Sequence, residues 1–317
     1  MKRFIFQFLF IKLSMSISLR EIELKNKFED FINKYNKNYG DNYNLRYKIF
    51  KENLLFIEEH NKKSQWKMEI NKFSDLSDDE FINKKSSNIK INNNLIYISN
   101  YDSSLPEEWD WVQKGAVTDV KNQEECGACW AFSAVGAIEA AFFFKTGNLT
   151  SMATQQLVDC SKSFGNNACD GGMPNKAFDF AIQRGICSEN TYWYSGNPYD
   201  VCNNCPVITK ISSYINVESN NENALQQAVY KQPVSVVLNA NNFKSYKSGV
   251  MDSDCDTDFN HAVLVVGWGE LNGKKYWKIK NSWGPDWGDN GYILLERNIA
   301  DSKGRCGIAI SPVYPVM

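Results

Sequence analysis

All nine cysteines of this 317-residue chain, at positions 126, 129, 160, 169, 187, 202, 205, 255 and 306, lie beyond residue 125. An odd number cannot all pair within one monomer, so at least one thiol stands outside any disulfide set. Charge divides the chain in the same place. Residues 1–104 carry 18 basic and 14 acidic side chains, and the remainder 17 and 23. A cysteine-free piece of net charge +4 thus precedes a cysteine-bearing piece of net charge −6, within a length that suits two ordinary domains. With 43% hydrophobic and 23% charged residues, the composition is globular and not disordered. The overall charge of −2 lacks the basic excess that a polyanion requires, which argues against nucleic acid as a partner. There are two histidines, His60 and His261, so imidazole chemistry in the second piece falls to His261.

At the N-terminus, Lys2 and Arg3 precede an apolar run from Phe4 to Ile11, and Ser14, Ser16 and Ser18 follow. That is the order of a secretory signal peptide, interrupted by Gln7 and Lys12, with cleavage expected between about Ser16 and Leu19. No later stretch approaches the roughly 18 uninterrupted apolar residues of a membrane span. Residues 20–85 read as charged amphipathic helices. Within them Arg46, Phe50, Asn53, Ile57 and Asn61 share one helix face, which by itself reads as a packing stripe. Residues 86–104 are polar and asparagine-rich, as a linker would be, and the domain boundary is placed near 104.

Beyond it, Trp130 to Phe144 is apolar almost all round and predicts a helix buried on every side, ended by Lys145 and Gly147. Val234 to Leu238, Ala262 to Trp268 and Tyr276 to Ile279 predict strands, the last two joined at the hairpin signal Asn272-Gly273. A helix followed by sheet predicts two packed subdomains of α+β type.

Cys126-Gly-Ala-Cys129 before Trp130 admits four readings: a redox dithiol, half of a zinc site, two disulfide cysteines, or one disulfide cysteine beside a nucleophile. No βαβ pattern surrounds it, as a redox dithiol would need. Cys202 and Cys205 complete a four-thiolate set, but 72 residues separate the pairs, against about 15 to 20 in common zinc sites. The nucleophile reading asks for a thiolate near a helix start and an imidazole. Cys129 opens the apolar helix, His261 begins a strand, and Asn281 follows the partner strand. If the Asn272-Gly273 turn centres the register, residue 281 faces 264, about 10 Å from His261, so a bulge or bend must close the gap. An amide there would hold the imidazole with its other nitrogen toward the sulfur.

These residues resemble the papain-like cysteine proteases, in the cathepsin L-like branch that carries an inhibitory propeptide. The stretch QEECGACWAFS (123–133) carries that family's signature, with His261 and Asn281 lying 132 and 152 residues after Cys129. LVDCS (157–161), CDGG (169–172), PVSVVL (233–238) and NSWGPDWGDNGY (281–292) follow in the family's order, so the likeness spans about residues 20–317. The stripe from Arg46 to Asn61 matches a propeptide motif, with Asn42 at its usual glutamate. Asn71, Phe73 and Asp75 match a second, with Glu69 at its usual glycine.

The resemblance implies a papain-like fold of helical and β-barrel-like subdomains behind a helical propeptide: signal peptide 1–18, inhibitory propeptide 19–104, peptidase domain 105–317. It implies that Cys129 is the nucleophile, paired as thiolate with protonated His261. Asn281 would orient the imidazole, Gln123 and the Cys129 N–H would bind the oxyanion, and no cofactor or metal would be needed. Trp283 would shield His261 and line the leaving-group side, and Gly171 and Gly172 would bind extended substrate. Met173, Pro174, Val237, Phe259, Ala262 and Ser311 would line an apolar pocket for the second residue before the scissile bond. The family pattern pairs Cys126 with Cys169, Cys160 with Cys202, and Cys255 with Cys306, leaving Cys187 and Cys205 as a candidate fourth bridge. Implied partners are peptide substrates, the chain's own propeptide and cystatin-like inhibitors, with the enzyme a monomer in a lysosome- or vacuole-like compartment or outside the cell. The rival reading is a catalytically inactive binding protein that keeps the fold. Asn148-Leu149-Thr150 is a glycosylation acceptor sequence. Asp252, Asp254, Asp256 and Asp258 alternate like a calcium loop, but Thr257 and Val263 break the pattern, and they read as an acidic loop able to raise the proton affinity of His261. Ala153-Thr154 stands where a helix-capping Ser-Glu is usual.

Overall fold

The computed structural model describes residues 2–85, 105–198, 201–255 and 258–317, with side chains from residue 19 onward. The side chains of the expected signal peptide, the linker 86–104, and Asp256 and Thr257 therefore lie outside the described residues. The first piece forms α1 (Lys2–Tyr35), α2 (Tyr43–Lys63), the short strand β1 (Lys67–Met68) and α3 (Asp78–Lys85). No described helix is long and apolar enough to cross a membrane. Leu24, Phe28 and Phe31 of α1 close over Phe50 and Leu54 of α2, which gives this piece a small core of its own.

The α2 stripe does more than pack. Phe50 and Ile57 are buried, while the polar members between them hold the returning chain. Asn53 Nδ2 donates to the carbonyls of Ser74 (2.9 Å) and Leu76 (3.0 Å). Asn61 exchanges two 2.8 Å hydrogen bonds with the backbone of Met68. Arg46 makes a two-pronged pair with Glu80 at 2.7 and 2.9 Å. The missing motif glutamate at Asn42 therefore leaves Arg46 with a carboxylate on α3 instead, and this pair holds Glu80 down at about 2.

In the second piece β2 (Trp109–Asp110) leads to α4 (Cys129–Thr146), α5 (Thr154–Cys160) and α6 (Pro174–Gln183). α4 is buried through Ala141 except at the half-buried Phe132, but its last turn surfaces, with Phe144 41% exposed. The expectation of burial on every side thus fails where the helix outruns its subdomain. Gly147 ends α4 at φ 77°, a left-handed cap glycine adopts without steric penalty. α5 begins at Thr154 with no side-chain cap, and the Ala153 N–H donates instead to the Cys187 carbonyl at 3.0 Å.

The strands β3 (Ile186–Cys187) and β4 (Val207–Thr209) form a separate ribbon. They are followed by β5 (Ser213–Asn216), α7 (Glu222–Lys231), β6 (Val234–Leu238), β7 (Tyr246–Ser248), β8 (Val250–Met251), β9 (His261–Leu271), β10 (Lys274–Lys280), β11 (Tyr292–Glu296) and β12 (Val313–Val316). The main sheet runs β5-β12-β6-β9-β10-β11-β8, with β2 on the far half of β9. β9 separates two cores. Ala262, Leu264 and Val266 face α4, while Val263 and Val265 face the opposite core with Trp277, Ile279 and Trp287. Gly136 of α4 permits the close approach, since a Cβ there would come within 2.9 Å of Leu264.

The propeptide-like piece shares the second of these cores. Ile57, Trp66, Met68, Phe73, Leu76 and Phe81 pack into one cluster with Phe243, Tyr246, Trp283 and Trp287. β1 pairs antiparallel with β7, and Asn71 Nδ2 donates to the Lys244 carbonyl at 2.8 Å. The buried Lys244 ammonium reaches back to Asn53 (2.9 Å), the Leu76 carbonyl and Asp78.

Four disulfides join Cys126–Cys169, Cys160–Cys202, Cys187–Cys205 and Cys255–Cys306, and the one cysteine outside them is Cys129. This chemistry leaves neither the redox nor the zinc reading its thiols, and no metal-holding cluster occurs among the described residues.

Candidate active site

The hairpin explains how Asn281 reaches His261. Asn272 and Gly273 take φ 52° and 79°, the left-handed pair of a tight turn, and Leu271 faces Lys274 as expected. Between Lys278 and Ile279 the register then slips, from Lys278 opposite Gly267 to Ile279 opposite Val265. The extra residue, Val266, is a β-bulge. Lys280 therefore faces Leu264, and position 281 comes opposite 263 instead of the expected 264. Because side chains alternate, the slip also puts residue 281 on the face that 261 and 263 share. Diagonal neighbours on one face lie within side-chain reach, and His261 Nε2 meets Asn281 Oδ1 at 2.8 Å.

The Ser282 N–H also donates to Asn281 Oδ1 (2.8 Å), which assigns the oxygen to that side of the amide. An acceptor at Oδ1 places the imidazole proton on Nε2 and turns the lone pair of Nδ1 the other way. Nδ1 is buried and makes no hydrogen bond to a described residue. His261 is 1% exposed, and burial pushes its pKa down to about 4. The Asn281 hydrogen bond works upward, and the Lys85 ammonium adds to the lowering. Two aspartates of the acidic loop are engaged elsewhere: Asp252 pairs with Lys274, and Asp254 with Arg305 at 2.6 Å. None of the loop's described aspartates is among the influences on His261, so the expected rise in its proton affinity is not seen from them, and Asp256 lies outside the described residues.

Cys129 is the first residue of α4, where the helix dipole favours thiolate. Its Sγ accepts from the N–H of Ala262, the residue after His261, at 3.4 Å. Gln123 is fully buried, and both its backbone and its side chain are tethered. Its N–H donates to the Ser282 carbonyl (2.8 Å), its Nε2 to the Cys126 carbonyl (3.0 Å), and its Oε1 accepts from the Ser282 hydroxyl (2.7 Å). Ser282 thus ties both the imidazole-holding amide and the oxyanion candidate to one residue. Ser282 stands inside the NSWG stretch, but its bonds to Gln123 span 159 residues and leave no mark in the local sequence.

The Trp283 ring lies 4.7 Å from that of His261 and is itself covered edge-on by Phe81 (5.2 Å) and Phe73 (6.0 Å) of the first piece. Gly171 takes φ 126°, and at Gly172 a Cβ would stand 2.8 Å from the Trp130 indole. Met173 and Pro174 begin α6, with the Met173 N–H on Asn166 Oδ1 (2.9 Å). Val237 and Ala262 face each other across β6 and β9 beneath α4. Phe259 packs over Gly307, where a Cβ would approach its ring to 2.3 Å, four residues before the half-buried Ser311. The predicted pocket residues are thus divided between the two subdomains.

The family models described as papain family cysteine protease and cathepsin propeptide inhibitor domain match residues 105–316 and 28–81. The thiol protease SEN102 of Hemerocallis is 41% identical over 294 residues, covering 87% of this chain and 81% of that protein. Ananain of Ananas comosus is 39% identical over 305 residues, with 92% and 87% covered. Among solved structures, the recombinant stem bromelain precursor superposes with a TM-score of 0.87 at 39% identity, over 93% of this chain and 99% of that one. Digestive procathepsin L 3 of Tenebrio molitor larval midgut gives 0.84 at 35%, over 93% and 99%. With a catalytic-domain match over residues 105–316 behind an inhibitor-domain match, the chain belongs to the papain family of cysteine proteases and is a zymogen form carrying that family's propeptide.

Proposed function

We propose that Cys129 is the nucleophile of a cysteine endopeptidase and His261 its base and acid, with Asn281 orienting the ring. The observation that carries this reading is that the one cysteine outside the disulfides opens α4 against the amide beside His261. Proton transfer from Cys129 to Nδ1 of His261 gives the thiolate–imidazolium pair. The thiolate adds to the scissile carbonyl, and the Gln123 side-chain amide with the Cys129 N–H stabilises the resulting oxyanion. His261 protonates the leaving amine, and water then hydrolyses the thioester. Trp283 keeps water off the His261–Asn281 contact.

The propeptide is taken as 19–104 and the mature domain as 105–317, after removal of a signal peptide at 1–18 and activation in an acidic vacuole-like compartment or outside the cell. The enzyme is a monomer open to cystatin-like inhibitors, and Asn148, exposed beyond α4, carries glycan. Met173, Pro174, Val237, Phe259, Ala262 and Ser311 include no acid, which favours Leu, Val or Phe over Arg as the second residue before the cut. Gly171 and Gly172 supply backbone groups to extended substrate.

Mass spectrometry of acid-activated, unreduced protein after brief alkylation near pH 5 tests the reading. The expected result is a chain starting near Leu105 with label on Cys129 alone. A correctly processed chain without that label would sink it.

A further inference from the structure

Two glutamates stand beside the oxyanion candidate. Glu124 follows Gln123 directly and takes φ 55°, a left-handed conformation that is strained for a side-chain-bearing residue. Strain of this kind persists where the surroundings use it, and the Glu124 carbonyl has an occupant. The ammonium of Lys85, at the end of α3, donates to it and lies 5.1 Å over the Phe73 ring. Lys85 is 6% exposed, and burial pushes it down to about 8, so the seat holds a cation at a desolvation cost. Beside it Lys84 pairs with Glu125 at 2.6 Å, and Lys72, which lines one pocket with Lys84, Lys85, Glu124 and Glu125, pairs with Asp286 at 2.8 Å. Three lysines of the propeptide thus meet a rim of acceptors around Gln123 and Trp283. Lys85 also lines a small cavity with His261 and Trp283, which puts this seat at the catalytic pair.

We propose that Glu124, Glu125 and Asp286 form a subsite for a lysine or arginine side chain of the substrate, on the leaving-group side of the scissile bond, which the propeptide fills with its own lysines. The inference rests on the assignment of Cys129 and Trp283 above. A seated cation distinguishes this rim from a merely acidic surface. Lys85 shows what the peptidase domain offers a cation there, a carbonyl acceptor with neighbouring carboxylates, while the Phe73 face belongs to the propeptide itself. On leaving, α3 uncovers the acceptors to the substrate chain.

The test uses enzyme processed from the full chain and internally quenched peptides. These share one N-terminal half and carry Lys, Arg, Ala or Glu at each of the three positions after the cut. At low salt, kcat/KM is expected to be about ten-fold higher for Lys or Arg than for Glu at one of these positions, mainly through KM, and the ratio should shrink in 0.5 M salt. In the triple variant Glu124→Gln, Glu125→Gln, Asp286→Asn, the Lys/Glu ratio should fall to about one. Equal rates for Lys and Glu peptides in the wild type, or an undiminished ratio in the triple variant, would overturn the proposal. Should no peptide be cut, the protease assignment fails separately. The subsite is then read from the Kd of the Lys and Glu peptides for Cys129→Ala protein whose propeptide an added protease has removed. The same ten-fold ratio supports the subsite, and equal Kd values refute it.

Discussion

His261 and Asn281 meet at 2.8 Å because β9 holds one residue more than β10 between their shared turn and the cleft. Without the bulge at Val266 the amide would project from the opposite face of the sheet, whatever its distance along the strand.

Asn281→Ala removes the one hydrogen bond that raises the basicity of the ring. We expect kcat/KM on a peptide substrate to fall about 100-fold, the low end for a mispositioned acid–base group. The upper limb of the pH profile of Cys129 alkylation, set by the imidazolium, should move to lower pH. An unchanged profile would show that Asn281 does not hold the ring.

With the propeptide docked, His261 sits at about 4, below its ordinary value of 6.5. A state that returns the ring to water binds a proton below 6.5, whereas the covered state does so only near 4. The covered form therefore keeps its full His261 contribution above pH 6.5 and loses it as pH falls toward 4, by about 3 kcal/mol. Thermal unfolding of the zymogen between pH 7 and 4 should show this slope. His261→Gln should flatten it, and an identical slope in that variant would refute the assignment.

Ser282→Ala leaves Gln123 Oε1 buried without its donor, which costs about 1–3 kcal/mol of amide orientation. Gln123→Ala should reduce kcat by about 100-fold or more. If Ser282 acts through Gln123, the double variant should be little worse than Gln123→Ala alone. Additive losses in the four-variant cycle would place the Ser282 effect elsewhere.

Glu139 lies inside α4, 1% exposed, and receives Lys121 (3.1 Å), Thr118 (2.6 Å) and the Met152 N–H (2.9 Å). Glu139→Ala leaves Lys121 its pair with Glu189 and the Met152 carbonyl, but strips the buried Thr118 hydroxyl and Met152 N–H of their acceptor, and should cost about 1–3 kcal/mol. The readout is the denaturation midpoint in urea. A loss under 1 kcal/mol would mean that the interior admits water there.

Local chemistry was legible in order along the chain. The apolar stretch after Cys129 gives a helix because no face is polar, and Asn272-Gly273 gives a hairpin because both positions tolerate positive φ. The parity of nine cysteines singles out one thiol, and the structure leaves Cys129 as that one. What the sequence did not contain is any relationship whose cause lies across the chain. The bulge at Val266 shows only in the pairing of β9 with β10, and nothing in the run His261 to Leu271 marks it. Ser282 acquires its bonds to Gln123, and Lys85 its seat on Glu124, only once distant segments are folded together. Residue type and spacing determine helices, turns and the thiol count, since those depend on neighbours along the backbone. Only the tertiary structure decides strand parity, burial and charge environment, because these depend on what lies on the other side of each side chain.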